Sequence, residues 1–242
     1  MRTTPGLGRI LGIRSHLNYT CFAAIIFMAA AVVTQFSAAY PLWHRIILGI
    51  TASVFFFVAI TIREFVLSLV ATSKGITVKR VTIFVFGGVS QIDKETTLPA
   101  LELLLGVIGM LTNLIIAGIF YVIYIVLAHT GNVIVEVLVQ WLAFIYFMLF
   151  LFHLIPGFPL DGGRLLRALL WIATDNFERV TCITSWMGWS IGLLFTIGGV
   201  LILITTQQWF VGIMLAFPGL VLQNAATHSR REARRQDSTT VE

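Results

Sequence analysis

The sequence predicts an α-helical polytopic membrane protein: about six transmembrane helices with a small β-hairpin at the cytoplasmic membrane edge. Three observations predict it. Of 242 residues, 58% are hydrophobic and only 11% are charged, whereas a soluble domain carries roughly 25% charged residues. The apolar residues come in runs that reach the roughly 20 residues a bilayer crossing needs. The cationic residues gather between those runs, where membrane orientation demands them.

Taken in order, the spans fall at approximately 18–38, 44–71, 100–128, 132–156, 180–204 and 208–226. The stretch before the first is too polar and too interrupted for a secretory signal, so that span is expected to remain as a helix. Arg2, Arg9 and Arg14 precede span one, and Lys74, Lys79, Arg80 and Lys94 follow span two. Arg164, Arg167 and Arg179 follow span four, and Arg230, Arg231, Arg234 and Arg235 lie in the tail. Fourteen of the sixteen Lys and Arg residues thus share one side, with Arg45 opposite and Arg63 inside a span. Positive charge is held inside, so both termini are expected in the cytoplasm of a multi-pass cell-membrane protein.

The same distribution accounts for the formal charge of +5. The flanking positions of the cations exclude nucleic acid as the natural partner, and the bilayer takes its place. Cys21 and Cys182 both sit in apolar runs. They read as small core side chains, not as a disulfide framework. Residues 1–226 form one predicted transmembrane domain. The basic remainder, 227–242, is predicted to be a disordered cytoplasmic tail that touches anionic lipid.

Between spans two and three, residues 79–90 read KRVTIFVFGGVS. This is β-rich and carries a Gly pair, which predicts one or two short strands. An open strand edge there would pair with an extended segment of another chain. Gly87, Gly88 and Val89 are the candidate contacts, and a closed hairpin without a partner is the alternative.

Two polar constellations interrupt the spans. Arg63 and Glu64 lie about eight residues from the cytoplasmic end of span two, roughly 12 Å deep at 1.5 Å per residue. A charge at such depth is costly and marks a functional position by default. An Arg that snorkels beside a paired Glu is the simpler alternative. The second constellation, HLIPGFPLDGGR from His153 to Arg164, breaks a helix. Pro156 and Pro159 interrupt the hydrogen-bond ladder, and Gly162 and Gly163 permit unusual backbone angles. Unwound backbone at membrane depth survives only inside protein or beside a water-filled cavity. That places Asp161 at a candidate site.

In combination these residues resemble the site-2 protease family of intramembrane zinc metalloproteases, over most of the chain. In that family the second span carries an HExxH motif followed by small residues, as in Ser68-Leu69-Val70-Ala71 here. A later broken helix carries N-x-x-P-x-x-P-L-D-G-G. Pro156, Pro159, Leu160, Asp161, Gly162 and Gly163 match it as they stand, and Arg164 to Ala168 look like its continuation. Phe86 to Val89 resembles the family's membrane-edge sheet. Glu102, Gly109 and Asn113 fit its third-span pattern, with Met110 where a proline is usual. The resemblance implies a zinc ion held by the two HExxH histidines and the aspartate, with the glutamate activating water.

The departures fall on the chemistry. The histidine positions i and i+4 converge on one helix face, which is why two imidazoles there share an ion. Here they are Arg63 and Leu67, and the asparagine position is His153. Arginine has no acceptor lone pair, and leucine ligates nothing. Of the family's set, Glu64 stays at the general-base position and Asp161 at the third ligand position. Glu64, His153 and Asp161 are the remaining weak set for a metal, and using Glu64 as ligand would remove the base. No cofactor is therefore expected. Arg63 is expected to pair with Asp161, with Glu64, His153 and Asn113 completing a polar site.

Three functions follow from this. The first is a proteolytically inactive homologue that binds single-span membrane clients. Its contacts would be Pro156, Gly157 and Pro159 beside the break, and Gly87 to Val89 on the strand edge. The second is an active zinc-dependent endopeptidase with an unorthodox metal site. The third is a transport or channel role built on the same polar residues, which no inverted repeat supports.

Overall fold

A computed structural model describes residues 6–10, 13–17, 25–26, 28–30, 32–34, 41–75, 78–84, 87–92, 98–128, 133–206 and 208–240. Six helices and four strands have defined bounds. The helices are α1 (Leu42–Ser73), α2 (Pro99–Leu127), α3 (Val133–His153), α4 (Asp161–Thr174), α5 (Phe177–Thr206) and α6 (Trp209–Thr240). The strands are β1 (Gly6–Ile10), β2 (Ile13–Leu17), β3 (Val78–Phe84) and β4 (Gly87–Ile92). Among the described residues, four helices are long and apolar enough to cross a bilayer: α1, α2, residues Ile134–His153 of α3, and α5. Six spans were expected. The first, 18–38, lies largely outside the described residues, and the last, 208–226, falls within α6.

The chain divides into two compact units. The first comprises 1–97 and 111–149, and so holds α1, the sheet, the second half of α2 and most of α3. Its strands lie in the order β1-β2-β3-β4. β3 and β4 are antiparallel, with Thr82 opposite Val89 and Phe84 opposite Gly87, while β2 and β3 run parallel. β4 is therefore an edge strand. Among the described residues no further strand pairs with its far side, which is where an edge strand accepts another chain.

α1 shows how a membrane protein sorts its residues. Ile46, Ile50, Val54, Val58 and Ile62 repeat at helical spacing and are exposed. Leu48, Ala52, Phe56, Ala59, Arg63 and Leu67 fill the opposite face and are buried. Both faces are apolar except where the charges lie, so lipid takes the first face and protein the second. Leu48 and Ala52 join Val32, Leu138 and Leu142 in a core edged by Phe120 and Trp141. Tyr146 is fully buried there, and its hydroxyl donates to the Phe56 carbonyl at 2.5 Å. Its ring lies against Phe56 and Phe120. The Arg45 guanidinium donates to the Val33 carbonyl from Nε at 3.0 Å and from Nη2 at 2.6 Å.

The second unit holds residues 98–110 and 150–242. Its α5 and α6 run antiparallel through two glycine crossings. A Cβ on Gly192 would stand 2.7 Å from the Gly219 carbonyl oxygen, and one on Gly199 would stand 2.5 Å from that of Gly212. Only glycine lets backbones approach so closely, which is how membrane helices gain packing without a hydrophobic drive. Gln223 Nε2 adds a donor to Thr196 Oγ1 at 2.8 Å.

α4 was not anticipated as a separate helix. At 14 residues it is roughly 21 Å long, too short to span, and Asp175 in the left-handed region (φ 50°) ends it. α6 corrects a second expectation. It continues to Thr240 through residues assigned on composition to an unstructured tail. Ala226 and Ala233, seven residues apart, are both buried, and Arg230 lies 4.2 Å over the Trp186 ring of α5. Packing along one helical face overrides the polar composition.

Candidate functional site

In the first unit the charges of α1 point inward. Arg63 is 6% exposed and Glu64 2%. Arg63 Nη1 donates to Glu64 Oε1 at 2.6 Å. Adjacent residues on a helix do not normally face each other; the long arginine stem turns back onto its neighbour. Leu67, one turn on, is buried, and Ser68 closes its hydroxyl on the Glu64 carbonyl at 2.8 Å. Asn113 of α2 is buried, and its Nδ2 finds no acceptor among the described residues. Gly87, Gly88 and Val89 lie on β4, paired with Phe84, Ile83 and Thr82.

In the second unit α3 stops at His153, which is buried with its ring edge-on to Phe152. Short-range bonds then carry the broken segment: Gly157 N–H to the Ile155 carbonyl at 2.8 Å and Leu160 N–H to Gly157 at 2.9 Å. α4 begins at Asp161, whose carboxylate suits the positive end of a helix dipole. Asp161 is 3% exposed. Its carboxylate rests on α2 at Gly109, where a Cβ would stand 2.7 Å from Oδ2. A Cβ on Gly106 would meet the Asp161 backbone oxygen at 3.1 Å. These two glycines make the notch that accepts the acid. Pro156 is exposed and Pro159 half-buried. Gly157 is buried, with Gly188 of α5 against it.

The break is held by groups whose connection the sequence did not reveal. Phe158 N–H donates to the Thr184 carbonyl at 3.1 Å, and its own carbonyl lies on Gly188, where any side chain would collide with it. The Arg167 guanidinium covers the Phe158 ring at 4.0 Å and sits 5.1 Å from that of Phe177. The same guanidinium binds Glu102 of α2 in a fork, Nε to Oε2 at 3.0 Å and Nη2 to Oε1. Both members are buried. The available signal was a lone acid, Glu102, on the apolar α2 and a cation, Arg167, on α4 beside Asp161 and Arg164.

The donor set does not fit a catalytic zinc ion. Such sites take three protein ligands with free lone pairs and leave a position for water. Arg63 and Leu67 offer no lone pair, and Glu64 Oε1 already accepts from Arg63. Among the described residues no three His, Cys, Asp or Glu side chains form a metal-holding group.

A model of peptidase family M50 matches residues 125–197. A Synechocystis protein named as a zinc metalloprotease is 32% identical over 95% of this chain and 61% of its own length. Another so named, Rip3 of Mycobacterium tuberculosis, is 31% identical over 71% of this chain and 44% of its own. The chain thus spans about half the length of these relatives. The solved site-2 protease of Methanocaldococcus jannaschii superposes with a TM-score of 0.66 at 24% identity, over 94% of this chain and 95% of that one.

Proposed function

The chain belongs to peptidase family M50, the site-2 protease family, and from that premise we propose that it is a proteolytically inactive member that binds transmembrane client segments. The observation that carries this is the Arg63–Glu64 ion pair. The residue that should ligate metal is a cation, and it is bonded to the carboxylate that should activate water. A fixed positive charge at that place also repels a divalent ion. Leu67 removes the second ligand independently.

The rest of the family architecture remains. The Pro-rich break is stabilised by Arg167, Glu102 and Phe158, and Pro156 stands exposed beside it. β4 offers a strand edge to an extended segment. In this reading both termini lie in the cytoplasm, which the asymmetry of Lys and Arg supports, and the sheet lies at the cytoplasmic membrane edge.

Zinc content and cleavage of a single-span test substrate, measured on the reconstituted protein, decide about activity. The expected result is zinc far below one per chain and no cleavage. Stoichiometric zinc, with cleavage abolished by Glu64→Gln, would overturn the proposal in favour of a working endopeptidase. Client binding is tested by a photo-crosslinking residue at Pro156, which should capture single-span segments in the membrane. No adduct at native expression removes that role. Arg63→His with Leu67→His is expected to gain zinc.

A further inference from the structure

We infer that Thr181 and Ser185 of α5 hold a buried water molecule beside the broken segment. Membrane helices usually satisfy hydroxyls on the carbonyl one turn back. Thr184 does so to Val180, Thr196 to Gly192, Thr205 to Leu201 and Thr206 to Ile202. Thr181 and Ser185 do not. They are 2% and 1% exposed, and neither oxygen has a partner among the described residues.

Four residues apart, the two hydroxyls share one helix face. Thr184 and Gly188 flank that face, and they carry the Phe158 backbone. The hydroxyls therefore lie on the side of α5 to which the unwound segment is bound. An unmet hydroxyl in apolar surroundings is destabilising, and two neighbouring ones doubly so.

Burial and charge select the ligand. Both oxygens are fully enclosed, so neither lipid nor a client chain reaches them. Two neutral hydroxyls make a poor seat for a cation, which takes carboxylate and carbonyl oxygens, and the Glu102 carboxylate is already bound by Arg167. Water is neutral and small, and it both donates and accepts. It typically makes about three bonds in such a site. Thr181 and Ser185 supply two, and a backbone carbonyl of 154–160 is left to supply the third. The bound water then satisfies backbone that the prolines have released from helix, whether or not the chain cleaves anything.

The test is the nearly isosteric double change Thr181→Val with Ser185→Ala in the full chain in detergent. If water is bound, the thermal midpoint falls by several degrees, equally in sodium chloride and choline chloride. An unchanged or higher midpoint overturns the inference, because removing unsatisfied hydroxyls would then be a gain. A midpoint of the unaltered protein that rises with sodium overturns it in favour of a cation. Should the double variant not fold, an experimental density map of the unaltered protein decides. A peak within hydrogen-bond distance of both oxygens is expected, and none there refutes the site.

Discussion

Replacing Arg167 by Met tests what holds the break. The change leaves the Glu102 carboxylate buried with no cation, and it removes the charge above Phe158. Breaking a buried pair from one side costs about 3–5 kcal/mol. Losing the cation from the Phe158 ring, 4.0 Å away, adds about 0.5–2 kcal/mol. Glu102→Leu should cost a similar 3–5 kcal/mol, now by stranding the guanidinium. The double variant Glu102→Leu with Arg167→Met removes both charges and keeps volume. It should lie within about 2 kcal/mol of the unaltered protein, since apolar replacement of a buried pair is often neutral or better. The assay is reversible unfolding in mixed micelles, read as a double-mutant cycle. At about 2–4 °C per kcal/mol for a chain of this size, Glu102→Leu should melt roughly 6–20 °C early and Arg167→Met roughly 7–28 °C early. Single variants that each lose under about 1 kcal/mol would refute the reasoning, and so would a double variant worse than their sum.

Three further outcomes are expected. Gly188→Ala drives a methyl into the Phe158 carbonyl, so it should cost about 1–3 kcal/mol and raise protease nicking of 154–160 in a limited-proteolysis time course. Tyr146→Phe deletes the bond to the Phe56 carbonyl and should cost about 0.5–1.5 kcal/mol, while Tyr146→Ala should cost about 3–5 kcal/mol, both by the same unfolding assay. Gly199→Val should part α5 from α6, seen as faster amide exchange in both helices; unchanged exchange would mean the glycine crossing is dispensable.

The membrane class and the limits of α1, α2, α3 and α5 were legible because apolar run length is a one-dimensional signal. So was the break, since Pro156 and Pro159 cannot sit inside a continuous helix. That Arg63 and Leu67 have no lone pair to give a metal was legible too, because it depends on side-chain chemistry alone. What the sequence hid was tertiary. Nothing local says that Glu102 finds Arg167, 65 residues away, or that Gly109 is small for the sake of Asp161. The ion pair Arg63 makes with Glu64 was legible as the simpler of two readings, a cation beside an adjacent acid, although helical geometry disfavours neighbours as partners. The continuation of α6 past 226 was lost because composition weighs residues singly, whereas a helix buries one face.

Phe158 serves three neighbours at once: its amide serves Thr184, its carbonyl Gly188 and its ring Arg167. Two of those ties are main-chain and indifferent to residue type at 158; the third is not. Substitutions there should therefore be filtered by ring character alone, and those at 188 by bulk alone. The acidic residue three places downstream sits in the same unit, where Gly106 and Gly109 leave the room it occupies, so a side chain at either glycine would evict it.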